Sequence, residues 1–129
     1  MSRAWRGDVS AVAITAAGTS DVITAIEIPH GAEYLWVEIE NNAHKALDSF
    51  LVSYRPHPDA SYHLIASAAS DYTTSMQEPI LGATCDFASL ALSTTGMLRL
   101  YVKGIDAVKF AASSASGSDT TVDARWSIR

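Results

Sequence analysis

Three segments within residues 97–129 alternate apolar and polar side chains with a period of two, and this pattern constrains the fold more than any other feature of the chain. In residues 97–103, Leu98, Leu100 and Val102 fall on one face, and Arg99, Tyr101 and Lys103 on the other. Residues 107–111 repeat the rule with Val108 and Phe110 inward. Residues 121–129 repeat it again, with Val122, Ala124, Trp126 and Ile128 inward and Asp123, Arg125 and Arg129 outward. Successive side chains of a strand point to opposite faces, so these segments read as strands with one dry and one wet face. A dry sheet face must be covered by a second layer, which the rest of the chain has to supply.

Upstream segments follow the same logic. Residues 22–28 read as a strand stopped by Pro29-His30-Gly31, because proline cannot continue a central ladder. In residues 33–41, Leu35, Val37 and Ile39 form one face and Tyr34, Trp36, Glu38 and Glu40 the other. The two rings on the wet face are either covered by a loop or the N-terminal segment, or form an exposed contact patch. Residues 46–55 place Phe50, Val52 and Tyr54 on one side and Leu51, Ser53 and Arg55 on the other, before Pro56-His57-Pro58-Asp59. Residues 62–66 read as a short strand leading into a loop, with a helical turn over 67–71 as a fallback. Residues 72–96 read as short strands and long connections. Gly104-Ile105-Asp106 predicts a tight hairpin between 97–103 and 107–111, and 113–119 a flexible loop. The sum is all-β: a single β-sandwich, jelly-roll-like, over residues 21–129.

Residues 1–20 are set apart by their Ala, Ser, Thr and Gly content. They read as a weak first strand near 11–15, or as an extended arm that orders against a neighbouring subunit. Trp5 between Arg3 and Arg6 favours the arm, since Trp and Arg are typical interface anchors.

Composition narrows the function classes. A length of 129 residues suits one domain. Nine basic residues, scattered among fourteen acidic ones, give a net charge of −5 and no concentrated positive surface, so neither nucleic acid nor anionic membrane is an expected partner. Cys85 is the single cysteine, which excludes an internal disulfide, and no cation adjoins it to favour a thiolate. The N-terminus has no continuous apolar core and carries Asp8, so it does not read as a signal peptide.

Recognisable chemistry is sparse. Neither G-x-G-x-x-G nor G-x-S-x-G occurs. Of the four histidines, His30, His44 and His57 sit in or beside turns while His63 falls in a short strand, and the set His57, Asp59 and His63 matches no metal spacing. Glu38 and Glu40 share the solvated face of a strand rather than a cleft. Tyr34 and Trp36, with Tyr101, could carry a sugar or a protein partner. No catalytic residue, cofactor or metal is therefore expected. The expected interface residues are Arg3, Trp5, Arg6, Tyr34 and Trp36.

Three stretches together have a familiar style. They are Leu35-Trp36-Val37-Glu38-Ile39-Glu40-Asn41-Asn42 with Ala46-Leu47-Asp48-Ser49-Phe50; Pro58-Asp59-Ala60-Ser61-Tyr62 with Ala66-Ser67-Ala68-Ala69-Ser70-Asp71-Tyr72; and the closing strands from Leu98 to Ile128. The chain resembles virion structural proteins of tailed bacteriophages, in particular capsid decoration (cement) proteins and small tail or neck proteins. The resemblance implies a non-enzymatic homo-oligomer, with a trimer favoured. Such a protein sits on the capsid exterior and bridges subunits of the major capsid protein, and a terminal arm adds a strand to a neighbour. A tail, neck or baseplate component, or a carbohydrate- or receptor-binding module, is the alternative.

Overall fold

Leu35, Val37, Ile39 and Asn41 are buried, while Tyr34, Trp36, Glu38 and Glu40 are half-exposed, so the alternation read from the sequence is the pleat of a real strand. That strand belongs to a computed structural model, which describes residues 3–15, 19–42, 47–66, 95–114 and 120–129. Eight strands occur among the described residues: β1 (Arg6–Ile14), β2 (Ser20–Glu27), β3 (Tyr34–Asn41), β4 (Leu47–Arg55), β5 (His63–Ala66), β6 (Thr95–Tyr101), β7 (Ala107–Ser114) and β8 (Thr120–Ile128). The readings of residues 43–46, 67–94 and 115–119, Cys85 and His44 included, lie outside the described residues, and residues 113–114 of the expected loop belong to β7.

The strands form two four-stranded antiparallel sheets, ordered β1-β8-β3-β6 and β2-β7-β4-β5. Among the described strands, and apart from β4 and β5, strands that follow one another lie in opposite sheets. This is the connectivity of a jelly roll. Between the sheets lies one core that includes Leu35, Val37 and Ile39 of β3, Leu98 and Leu100 of β6, Val108 and Phe110 of β7, and Val122, Ala124 and Ile128 of β8. Removing each large side chain of that set from water contributes about 1.5–3 kcal/mol.

The tight hairpin expected at Gly104-Ile105-Asp106 does not form. β6 pairs with β3, whereas β7 pairs with β2 and β4. The short connection instead carries the chain from one sheet to the other. Val102 is still held by Glu33, its N–H donating to the Glu33 carbonyl at 2.7 Å. Four residues later the Asp106 N–H donates to the Arg55 carbonyl at 2.9 Å, in the other sheet. A glycine-containing connection of this length suits either path, and the partners far along the chain decide.

The N-terminal segment supplies an edge strand. β1 pairs with β8 of its own chain from Arg6↔Ser127 to Ile14↔Thr120. Its register slips between Val9 and Val12, and Ala11 in that bulge has φ 51°. Asp123 on β8 stabilises the bulge, accepting the Ala11 N–H at 2.6 Å and the Asn42 side-chain amide at 2.9 Å. The N–H that the bulge removes from the ladder thus keeps a partner. In β2, slips of register place Val22, Ile23 and Ile26 all in the core, which strict alternation would not.

Trp126 is only partly buried, because its ring lies against the edge strand rather than the middle of the core. It faces Gly7 across the ladder, and a Cβ at Gly7 would sit 2.7 Å from the Trp126 Cε2 atom. Gly7→Ala should therefore lower stability by about 1–2 kcal/mol in urea unfolding, through displacement of the indole. Ala11→Gly should raise it by about 0.5 kcal/mol, because relief of a left-handed alanine exceeds the entropic cost of glycine.

Candidate functional site

One end of the sandwich is built from turn chemistry. Pro29 and Gly31 end β2 and turn the chain toward β3; Pro56 and Pro58 end β4; Gly104 turns the β6–β7 crossing. Gly31 and Gly104 have φ 87° and 84°, a conformation that side-chain-bearing residues rarely adopt. Between these connections lies an open groove of about 860 Å³, and Arg3 and Trp5 close one side of it.

Asp106 holds this end together. Its side chain is only 8% exposed and lies between two guanidinium groups. Arg3 Nη2 is 2.9 Å from Oδ1, and Arg55 Nη2 is 2.8 Å from Oδ2, with a second hydrogen bond from Arg55 Nε at 2.9 Å. Arg3 Nη1 also donates to the carbonyls of Ile28 and Asp106, at 3.0 and 2.8 Å. Burial pushes the Asp106 carboxyl up, but the hydrogen bonds and charges of Arg3 and Arg55 outweigh it and hold the group below its ordinary value. Asp123 is likewise held low, chiefly by the Ala11 N–H and the Asn42 amide. Burial alone raises the Tyr54 phenol, whose hydroxyl donates to the Tyr101 carbonyl at 3.2 Å.

The expected interface residues fall in two separate places. Arg3 and Trp5 line the end groove, and Trp5 is 46% exposed. Arg6 starts β1 and lines a smaller recess with Arg3, Glu27 and Trp126. Tyr34 and Trp36 lie instead on the outer face of the β1-β8-β3-β6 sheet. Arg99 from β6 reaches across to them, its guanidinium carbon 4.7 Å from the Tyr34 ring centroid and 5.5 Å from that of Trp36. Tyr101 meets Tyr34 edge-on, with centroids 5.6 Å apart. One face of each β3 ring is thereby occupied by a cation of the same chain, a poor arrangement for a flat sugar platform.

Glu38 and Glu40 also face outward and share Arg125, at 2.9 and 3.8 Å. Among the described residues no group of three His, Cys, Asp or Glu side chains is placed to hold a metal ion. His57 instead accepts the Asp59 N–H at 3.1 Å. Sequence reasoning missed Asp106 and Arg55 as a pair, and missed Lys103 as a groove residue, because 51 positions separate the pair and loops far apart in the chain build the groove.

No family model and no curated protein matches the chain in sequence. Solved structures do match the fold. PirA is 12% identical, with 98% of this chain and 94% of that chain covered at a TM-score of 0.51. The SPBc2 prophage-derived protein YomS is 12% identical, with 96% and 95% covered at a TM-score of 0.50. Tripeptidyl peptidase 2 is 9% identical and matches all of this chain at a TM-score of 0.54, but the match spans only 10% of the peptidase chain. At these identities the likeness is one of fold.

Asp106→Asn should cost about 2 kcal/mol at neutral pH, since two part-buried guanidiniums lose their anion. The folded-state carboxyl titrates below its unfolded value, so the contribution is complete above about pH 4 and is lost as pH falls through the lowered value. The gap in stability between wild type and variant should therefore be constant from pH 7 to 5 and narrow as pH falls below the ordinary carboxylate range, as followed by urea titrations.

Proposed function

We propose that this protein is a non-enzymatic structural component of a tailed-phage virion, and that its specific role is capsid decoration. The observation that carries this reading is its likeness, over nearly the whole length of both chains, to a protein derived from a prophage. The resemblance in style to phage structural proteins adds to it. So does the use of the shifted acids: Asp106 and Asp123 are both engaged in hydrogen bonds that hold strands and connections.

In this role the chain sits on the capsid exterior as a small oligomer, with a trimer favoured, and bridges major capsid subunits. The outer sheet face with Tyr34, Trp36 and Arg99 is the surface best suited to the contact, since aromatic and arginine side chains dominate interface energetics. Binding to the assembled shell alone would stabilise that state without any catalysis.

Light scattering of the purified chain should give three times 13.8 kDa. Incubated with heads stripped of decoration, the chain should co-sediment at fixed stoichiometry and raise their melting temperature. Trp36→Ala combined with Arg99→Ala should abolish the co-sedimentation while leaving the fold intact by circular dichroism. A monomer that stays in the supernatant would overturn capsid decoration.

A further inference from the structure

We infer that the groove at the end of the sandwich binds an anionic saccharide, the sugar ring lying on Trp5 and its acidic group meeting Lys103. Four observations lead there. The groove, about 860 Å³, falls within the range of small-ligand sites, roughly 300–1,000 Å³. Its wall presents the indole of Trp5, 46% exposed, beside the rings of Pro29, Pro56 and Pro58. An indole face receives the apolar C–H face of a sugar ring, and proline-bounded connections offer it a surface already shaped.

The backbone at two turn tips is open. Nothing lies within 4 Å of where a Cβ would stand at Gly31 or at Gly104, and both residues line the groove. Both glycines are exposed to solvent, so a ligand can approach the main chain there. An aromatic wall beside bare backbone polar groups suits a ligand with alternating apolar and hydroxylated faces.

Charge selects the acidic member of that class. The charged lining residues other than His30 are Arg3, Lys103 and Asp106. Asp106 is already engaged by Arg3 and Arg55 and offers no free carboxylate to repel an anion. Lys103 is exposed and has no carboxylate within ion-pair distance among the described residues. The groove thus presents an uncommitted cation, and its chemistry complements a uronic-acid carboxylate.

Isothermal titration of the full chain would use three probes: a galacturonic acid tetramer, the neutral maltotetraose, and hexaglutamate. The uronate tetramer should bind with a Kd of about 0.1–1 mM, at least about fivefold tighter than either other probe. Trp5→Ala should weaken it about tenfold and Lys103→Gln about fivefold, while Trp36→Ala on the sheet face should leave it unchanged. In the wild-type chain, NMR shift changes should centre on the Gly31 and Gly104 amides, a readout that needs no variant to fold. The proposal is overturned by the absence of uronate binding up to about 10 mM. Equal binding of maltotetraose or hexaglutamate overturns it too, as does binding that survives both Trp5→Ala and Lys103→Gln. Co-sedimentation with heads reads the virion role separately, so either proposal can fail alone.

Discussion

A buried carboxylate flanked by two guanidiniums, Asp106 with Arg3 and Arg55, is the interaction on which one end of this sandwich depends. Residue 106 serves three elements at once. Its N–H donates to the Arg55 carbonyl at the end of β4, and its carbonyl accepts from Ile28 just after β2 and from Arg3. Its side chain then binds both arginines. Strand ends leave main-chain groups without ladder partners, and such groups must be satisfied when they are buried. Asp106 satisfies several of them and fixes the direction in which β7 starts.

From that constraint the jelly roll follows. A chain that crosses between sheets at nearly every connection cannot rely on hairpins to set its register. It relies on contacts between residues far apart in sequence, such as Val102 with Glu33, Glu33 with Arg129, and Ile128 with Trp5. These bonds gather the N-terminus, the C-terminus and the β6–β7 crossing at the same end. Toward the other end, Asn41 on β3 and Thr120 on β8 are buried together and share a hydrogen bond at 2.9 Å. The groove therefore lies at the end where the long-range polar contacts concentrate.

Much of the sandwich was legible in the residues. Alternation in β3, β6 and β8 named Leu35, Val37, Ile39, Leu98, Leu100, Val122, Ala124 and Ile128 as core, and all are buried. Period-two patterning reports burial directly, so it reads well wherever strands are regular. It reads poorly at β1, where a bulge at Ala11 breaks the period and the strand begins at Arg6 rather than near 11. It cannot assign strands to sheets: Gly104-Ile105-Asp106 carries the local signal of a hairpin, and only Arg55, Ile28 and Arg3 turn it into a crossing. The candidate site was legible in fragments. Trp5, Arg3 and the three prolines were visible as anchors and turns, but the topology that gathers them was not.

The two surfaces divide the functional readings. The outer sheet face, with its rings tied to Arg99, carries the proposed protein contact, and the end groove the proposed ligand. Both depend on the sandwich end being held in place. Native-state amide hydrogen exchange on wild type and Asp106→Asn measures that dependence most directly. If Asp106 organises this end, the variant loses protection at Ile28, Ala107 and Val108, while Val37, Ile39 and Ala124 in the opposite sheet keep theirs. Uniform loss across both sheets, or no loss at Ile28, would contradict it.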